Sequence, residues 1–234
     1  MSTIQSRIMS PLAETGSSET LPIAPVSRRA ALGLGLAALM AAPGFTLRAR
    51  AQDGEQLDPG MILNDPADPN AGNAKGDVTI VYFFDYNCPF CKKTMAPLNK
   101  VVKQDGKVRL VYKDWPILTS ASIYGAKLAL AAYHQGKYSE VHHALMGIPG
   151  GRVPEDKMRK AVAGVGLDMK RLERDMKAKD AEITTLLRRH GAQADALGLA
   201  GTPVFLIGPF LVASALDEAG FKQVISDARA RESN

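Results

Sequence analysis

Apolar and polar positions follow three regimes along this chain. From Val78 to Phe84 the run Val-Thr-Ile-Val-Tyr-Phe-Phe is almost wholly β-branched and aromatic, the pattern of a short strand buried on both faces. A helix is predicted next, with apolar Met95, Leu98 and Val101–Val102 before Gly106. A second strand is predicted from Val108 to Tyr112, ending at Lys113-Asp114-Trp115-Pro116. Helical periodicity then takes over, with helices expected near 121–134, 137–146, 155–163, 168–178 and 180–197 and glycines punctuating them. Strand signals return at Val204–Ile207, pair with Phe210–Val212, and give way to a final helix over 217–230. A β-α-β half (78–119), a helical block (120–197) and a ββα half (198–234) make a split α/β domain with a helical insertion. Residues 52–77, rich in Asp, Asn, Gly and Pro, read as a leader lying over that domain.

The first 51 residues carry a different message. Ser27-Arg28-Arg29 precedes an Ala- and Gly-rich apolar run from Ala30 to Ala42, and Ala49-Arg50-Ala51 supplies small residues spaced for cleavage. A paired arginine before a modest apolar stretch reads as a twin-arginine export signal, with a mature start near Gln52. Retention as a membrane anchor is the competing reading, but a spanning helix needs about 20 apolar residues, and Pro43 and Arg48 cut this run short. Export of a bacterial type places the rest of the chain in an oxidising compartment. The signal also accounts for most of the formal charge of +5. Without it no excess of Lys and Arg remains that would form a basic stripe, so nucleic acid is not an expected partner.

Two cysteines, Cys88 and Cys91, are the whole sulfhydryl content. Three positions apart, they cannot cross-link distant parts of a fold, and so tight a loop would stabilise little. Their place is informative: the pair sits where a hydrophobic strand hands over to a helix. At a helix N-terminus the unpaired N–H groups and the macrodipole favour negative charge, which lowers a thiol pKa. Cys88 is therefore the expected nucleophile. Pro89 suits the first helical turn, and Cys91, one turn in, is placed to resolve a mixed disulfide. Metal binding is the alternative, since two thiolates make half of a tetrahedral site. His134, His142, His143 and His190, however, all fall in the helical block without a metal-binding repeat. No cofactor is expected. A second landmark is Gly201-Thr202-Pro203-Val204 at the returning strand. A cis X–Pro bond there would set the Thr202 backbone beside the sulfurs as an edge for an extended substrate.

Three segments together resemble the bacterial DsbA family: Phe83 through Cys88-Pro89-Phe90-Cys91-Lys92, the stretch Tyr112-Lys113-Asp114-Trp115-Pro116-Ile117-Leu118, and Gly201-Thr202-Pro203. They occur in the family's order, over about residues 60–230. The resemblance implies an α/β thioredoxin-like fold with an inserted helical domain, and Thr202–Pro203 as the cis-proline loop. It also implies a periplasmic location, exported proteins with thiols or disulfides as substrates, and a membrane redox partner that recycles the dithiol. The chain departs from the family six residues before the nucleophile, where many members carry a buried acid that moves protons and this one has Tyr82. A phenol is a poor base at neutral pH, which leaves Asp85 and Lys113 as the nearest candidates for proton transfer, unless each is an ordinary turn or strand-end charge. A second departure is Val212-Ala213-Ser214-Ala215, where relatives carry a Gly before the Ala. Trp115 is expected to pack under the edge of the site, and His190, in register with Ile183, Leu187 and Ala194, to be a core or boundary residue.

The leading expectation is a monomeric enzyme that exchanges disulfides with exported proteins. An isomerase or reductase, kept reduced, is the runner-up within that chemistry. A copper- or other metal-handling protein using the dithiol as a soft ligand comes from a different class.

Overall fold

A computed structural model describes residues 58–232. The predicted export signal and its cleavage site lie outside the described residues. Among those residues, no helix is long and apolar enough to cross a membrane.

The Val78–Phe84 run forms β2, with six of its seven residues buried. It lies parallel to β3 (Val108–Asp114), Val78 opposite Val108 and Phe84 opposite Asp114. Between them runs α2 (Pro89–Asp105), started by Cys88 as N-cap and ended by Gly106 at φ 70°, a left-handed conformation that glycine adopts without steric cost. The helical insertion comprises α3 (Ser120–Tyr133), α4 (Tyr138–Met146), α5 (Glu155–Ala163), α6 (Met169–Ala178) and α7 (Asp180–Ala196). The chain returns through β4 (Val204–Ile207), antiparallel to β2, then β5 (Phe210–Val212) and α8 (Glu218–Glu232). This is the split α/β architecture read from the hydrophobic pattern.

The sequence reading of 52–77 as a mere leader needs correction. The segment holds α1 (Pro59–Asn64) and β1 (Asn70–Gly72). β1 pairs antiparallel with β3, so the sheet order is β1-β3-β2-β4-β5. Asn-Ala-Gly has no strand propensity of its own; the open edge of β3 imposes its conformation. β3 also runs through Lys113 and Asp114, whose charges suggested a strand end although both are buried.

Alternation along β2 and β3 divides the interior between the two faces of the sheet. Tyr82, Phe84, Tyr112, Cys88 and Cys91 belong to a large core that includes α2, α8 and much of the insertion. Val81, Phe83, Val111 and Trp115 form a smaller one with Ala194 of α7 and Ile62 of α1. Trp115 meets Phe83 edge-on, ring centroids 6.3 Å apart, so it supports the face of the sheet away from the dithiol.

Candidate active site

Cys88 and Cys91 are free thiols at the head of α2. Pro89 continues the helix from the Cys88 cap, and the Cys91 N–H donates to Cys88 Sγ at 3.3 Å. The Cys88 thiol in turn donates to the Thr202 carbonyl at 3.2 Å, and the Thr202–Pro203 peptide is cis. Two motifs 114 positions apart, Cys88 with Cys91 and Thr202 with Pro203, thus meet at one point. The hydrogen bond from the Cys91 thiol, aided by the N–H groups of Cys91 and Phe90, outweighs burial and lowers Cys88 from 9.0 to about 6. Burial, and then the neighbouring Cys88 sulfur, push Cys91 far above the ordinary thiol range. One sulfur of the pair is held ready as thiolate, the other as thiol.

The two candidates for proton transfer take other roles. The Asp85 carboxylate accepts the N–H groups of Asn87 at 2.6 Å, Ile117 at 2.8 Å and Leu118 at 2.9 Å. It ties the turn before Cys88 to the loop after β3, and those bonds take three of its roughly four acceptor sites. Lys113 is a correction. Lying beside Phe83 in the β2–β3 register, it points by strand alternation to the face away from the dithiol, where it pairs with buried Asp68. His190 reaches the same carboxylate at 2.8 Å and the Asp114 carbonyl at 3.0 Å, as a core histidine. Tyr82, in the position of the family's acid, is buried and donates to the Cys91 carbonyl at 3.3 Å. Burial, and then Cys91, push its phenol further up.

Sequence reasoning assigned no role to the residues that bracket the motif. Asn87 receives the Val153 N–H on Oδ1 at 2.9 Å and donates to Thr119 Oγ1 at 2.7 Å. Lys92 donates to the carbonyls of Ile148 at 2.8 Å and Gly150 at 2.6 Å. The loop between α4 and α5 is thereby strapped beside the first turn of α2. Adjacency to the cysteines was the only signal for either residue.

Asp114 was also missed. It is fully buried on the dithiol face of the sheet, Oδ2 accepting from Tyr138 at 2.7 Å and Oδ1 without a partner. Burial raises it from 3.8 to about 7, against the hydrogen bond from Tyr138. Because its folded pKa lies above the unfolded one, the associated stability is full below 3.8 and is lost as pH rises through 7. Asp114→Asn keeps an acceptor for Tyr138 without the charge. It should be more stable than the parent by up to about 4 kcal/mol at pH 8, a gap that closes towards pH 4. Urea denaturation across this range measures it, and equal stability at pH 8 would refute the reading. Nearby His142, ringed by Phe84, Tyr112 and Tyr138, is held well below its ordinary pKa by burial. The other two histidines sit elsewhere, His143 on Asn99 and His134 by Glu182.

A C-x-x-C heading a helix, faced by a cis-proline loop and crossed by a helical insertion, defines the DsbA-like thioredoxin-fold proteins. The model of the family described as thioredoxin matches residues 64–227. The chain belongs to that family. It is 41% identical to a thioredoxin-like oxidoreductase from Silicibacter pomeroyi, a match covering 74% of this chain and 99% of that one with a TM-score of 0.70. It is 28% identical to the thiol-disulfide exchange protein alpha-DsbA2 from Wolbachia pipientis, covering 71% and 90% with a TM-score of 0.67. A periplasmic thioredoxin-like protein from Salmonella enterica serovar Typhimurium is 27% identical, covering 75% and 99% with a TM-score of 0.62. Among curated proteins, Na(+)/H(+) antiporter NhaA 1 of a Mycobacterium species is 27% identical over 170 residues. That match takes in 67% of this chain but only 28% of the antiporter's length.

Proposed function

We propose that the protein exchanges disulfides with exported proteins in the periplasm, with Cys88 as nucleophile and Cys91 as resolving thiol. The observation that carries this reading is geometric. Cys88 caps α2, and its sulfur takes the Cys91 N–H at 3.3 Å and lies 3.2 Å from the carbonyl beside a cis Thr202–Pro203 bond. That arrangement sets Cys88 down to about 6 and Cys91 far up. In the oxidising direction a substrate thiolate attacks Cys88 Sγ of the Cys88–Cys91 disulfide. The S–S bond breaks, and Cys91 leaves and takes up a proton. A second substrate thiolate then attacks the first substrate sulfur, the one bonded to Cys88, forming the substrate disulfide and expelling Cys88 as thiolate, so the substrate loses two electrons and the protein gains them. A low-pKa thiolate is the better leaving group in that last step, which favours disulfide donation over the isomerase or reductase direction. The cis-proline loop beside Cys88 is the edge proposed to receive the substrate backbone. A membrane redox partner returns the dithiol to the disulfide, and the protein acts as a monomer.

The Cys88 shift fixes a sign. With a folded pKa below the unfolded one, thiolate stabilisation of the reduced protein is fully present above 9.0 and is lost as pH falls through about 6. At pH 7 it amounts to about 1.4 kcal/mol, or about 30 mV for a two-electron couple. Equilibrating the dithiol with glutathione across pH 5–8 tests both chemistry and pKa. The potential should fall by about 59 mV per pH unit below pH 6, where reduction takes up two protons, and by about 30 mV per unit above it. A single slope of 59 mV per unit up to pH 8 would show that Cys88 has an ordinary pKa and remove the basis for an oxidising role.

A further inference from the structure

Two hollows flank the dithiol, and they meet it through different residues. One, of about 690 Å³, is walled by Phe90, Leu199, Pro203 and Leu211. The other, of about 300 Å³, is walled by Asn87, Leu118, Val153 and Pro154. Cys88 lies in the chain between Asn87, which lines the second, and Phe90, which lines the first. Phe90 is 61% exposed and Leu118 and Leu211 48% each, so the rim is apolar. Each hollow has one charged lining residue, and each is a cation: Lys93 in the larger, Arg152 in the smaller. Both are exposed, and neither side chain has an ion-pair partner among the described residues. No acidic residue lines either hollow, and Asp85, three residues before Cys88, is buried with its carboxylate committed to three N–H groups.

An extended chain laid past Cys88 would therefore meet an apolar wall and an unpaired cation on each side of the reacting sulfur. We infer that the substrates this site prefers are extended segments whose reacting cysteine has apolar neighbours and a carboxylate on each flank, one met by Lys93 and the other by Arg152. This rests on disulfide exchange at Cys88 and adds the charge of the substrate to it. Charge complementarity of this kind speeds encounter and selects partners more than it deepens affinity, and exposed pairs are screened by salt.

The test compares three reduced single-cysteine peptides, identical except for Glu, Ala or Lys on both flanks, reacting with the oxidised full chain. Rates are corrected to each peptide's own thiolate fraction. The Glu peptide should react faster than the Ala peptide, and Ala faster than Lys, by about two- to fivefold per charge at low ionic strength, with the spread collapsing at high salt. In peptides carrying Glu on one flank only, Lys93→Glu should abolish the preference for one flank and Arg152→Glu for the other, with Tm unchanged because both side chains are exposed. Equal corrected rates for the Glu and Lys peptides, or a preference that survives both reversals, would overturn the inference while leaving exchange intact. Failure of all three peptides to react would sink the exchange reading itself, and this inference with it.

Discussion

Cys91→Ala should turn the protein into a trap that accumulates covalent complexes with its substrates, and Cys88→Ala should form none. The asymmetry follows from the geometry. Cys88 Sγ is the thiolate-forming sulfur, receiving the Cys91 N–H and lying 3.2 Å from the Thr202 carbonyl. Cys88 and Cys91 are both buried, at 2% and 0% exposure, so the asymmetry rests on the ionisation that this geometry sets. Cys91, one turn deeper and held as thiol, is placed to attack a disulfide formed on its neighbour. Removing it leaves the mixed disulfide to await an external thiol, and effective molarities for well-placed intramolecular groups reach about 10⁵ M or more. The resolving step should slow by at least three orders of magnitude at millimolar external thiol. Acid quenching, alkylation and non-reducing electrophoresis count the adducts. Equal trapping by the two variants, or none by either, would deny the division of labour between the sulfurs.

The second large effect belongs to stability. Asp68 is buried and receives both the Lys113 ammonium and His190 Nε2, while Lys113 also donates to the Met61 carbonyl at 3.3 Å. Asp68→Ala takes away the buried ammonium's paired carboxylate, leaving the weaker pull of Asp65, a loss of about 3–5 kcal/mol. For a domain of this size that is a fall in Tm on the order of 10 °C. Burial already holds Lys113 below the ordinary lysine value, against the pull of Asp68. With Asp68 gone the penalty should shrink as pH rises towards 10.5, where unfolded-state lysine also becomes neutral. The pair Asp68→Leu with Lys113→Met should cost less than Asp68→Ala alone, since no charge is left stranded. A loss below about 1 kcal/mol for Asp68→Ala would show that the ammonium finds another partner or water.

Local signals carried much of the fold and the centre of the site. The apolar run of β2, Pro89 at the helix start, Gly106 at its end and the spacing of Cys88 and Cys91 are each written in a few adjacent residues. The position of Thr202–Pro203 became legible once the split topology put the returning strand beside β2. The remainder depends on partners far apart in the chain. Nothing near Asp68 says that it meets Lys113 and His190, because the contact is made by folding a segment of weak propensity onto an open sheet edge. Lys113 and Asp114 looked like a strand end because charge usually marks exposure, whereas here one is paired and the other held near neutrality. Asn87 and Lys92 stood in plain view, but apart from the Thr119 hydroxyl their targets are backbone groups of a loop about sixty positions away, which side-chain patterns cannot reveal.

That strap has a consequence for what counts as a separable part. The residues on either side of the dithiol give their polar groups to the loop between α4 and α5, and Asp85 binds the approach to the insertion. Closing the chain between Trp115 and Leu197 with a short linker would keep all five strands and both cysteines in a smaller domain, yet Asn87 and Lys92 would lose those carbonyls and N–H groups to water. The first turn of α2 would then be free to fray, and with it the frame that keeps one sulfur acidic and the other not. The insertion is less an ornament on the sheet than the second half of the vice that grips its working end.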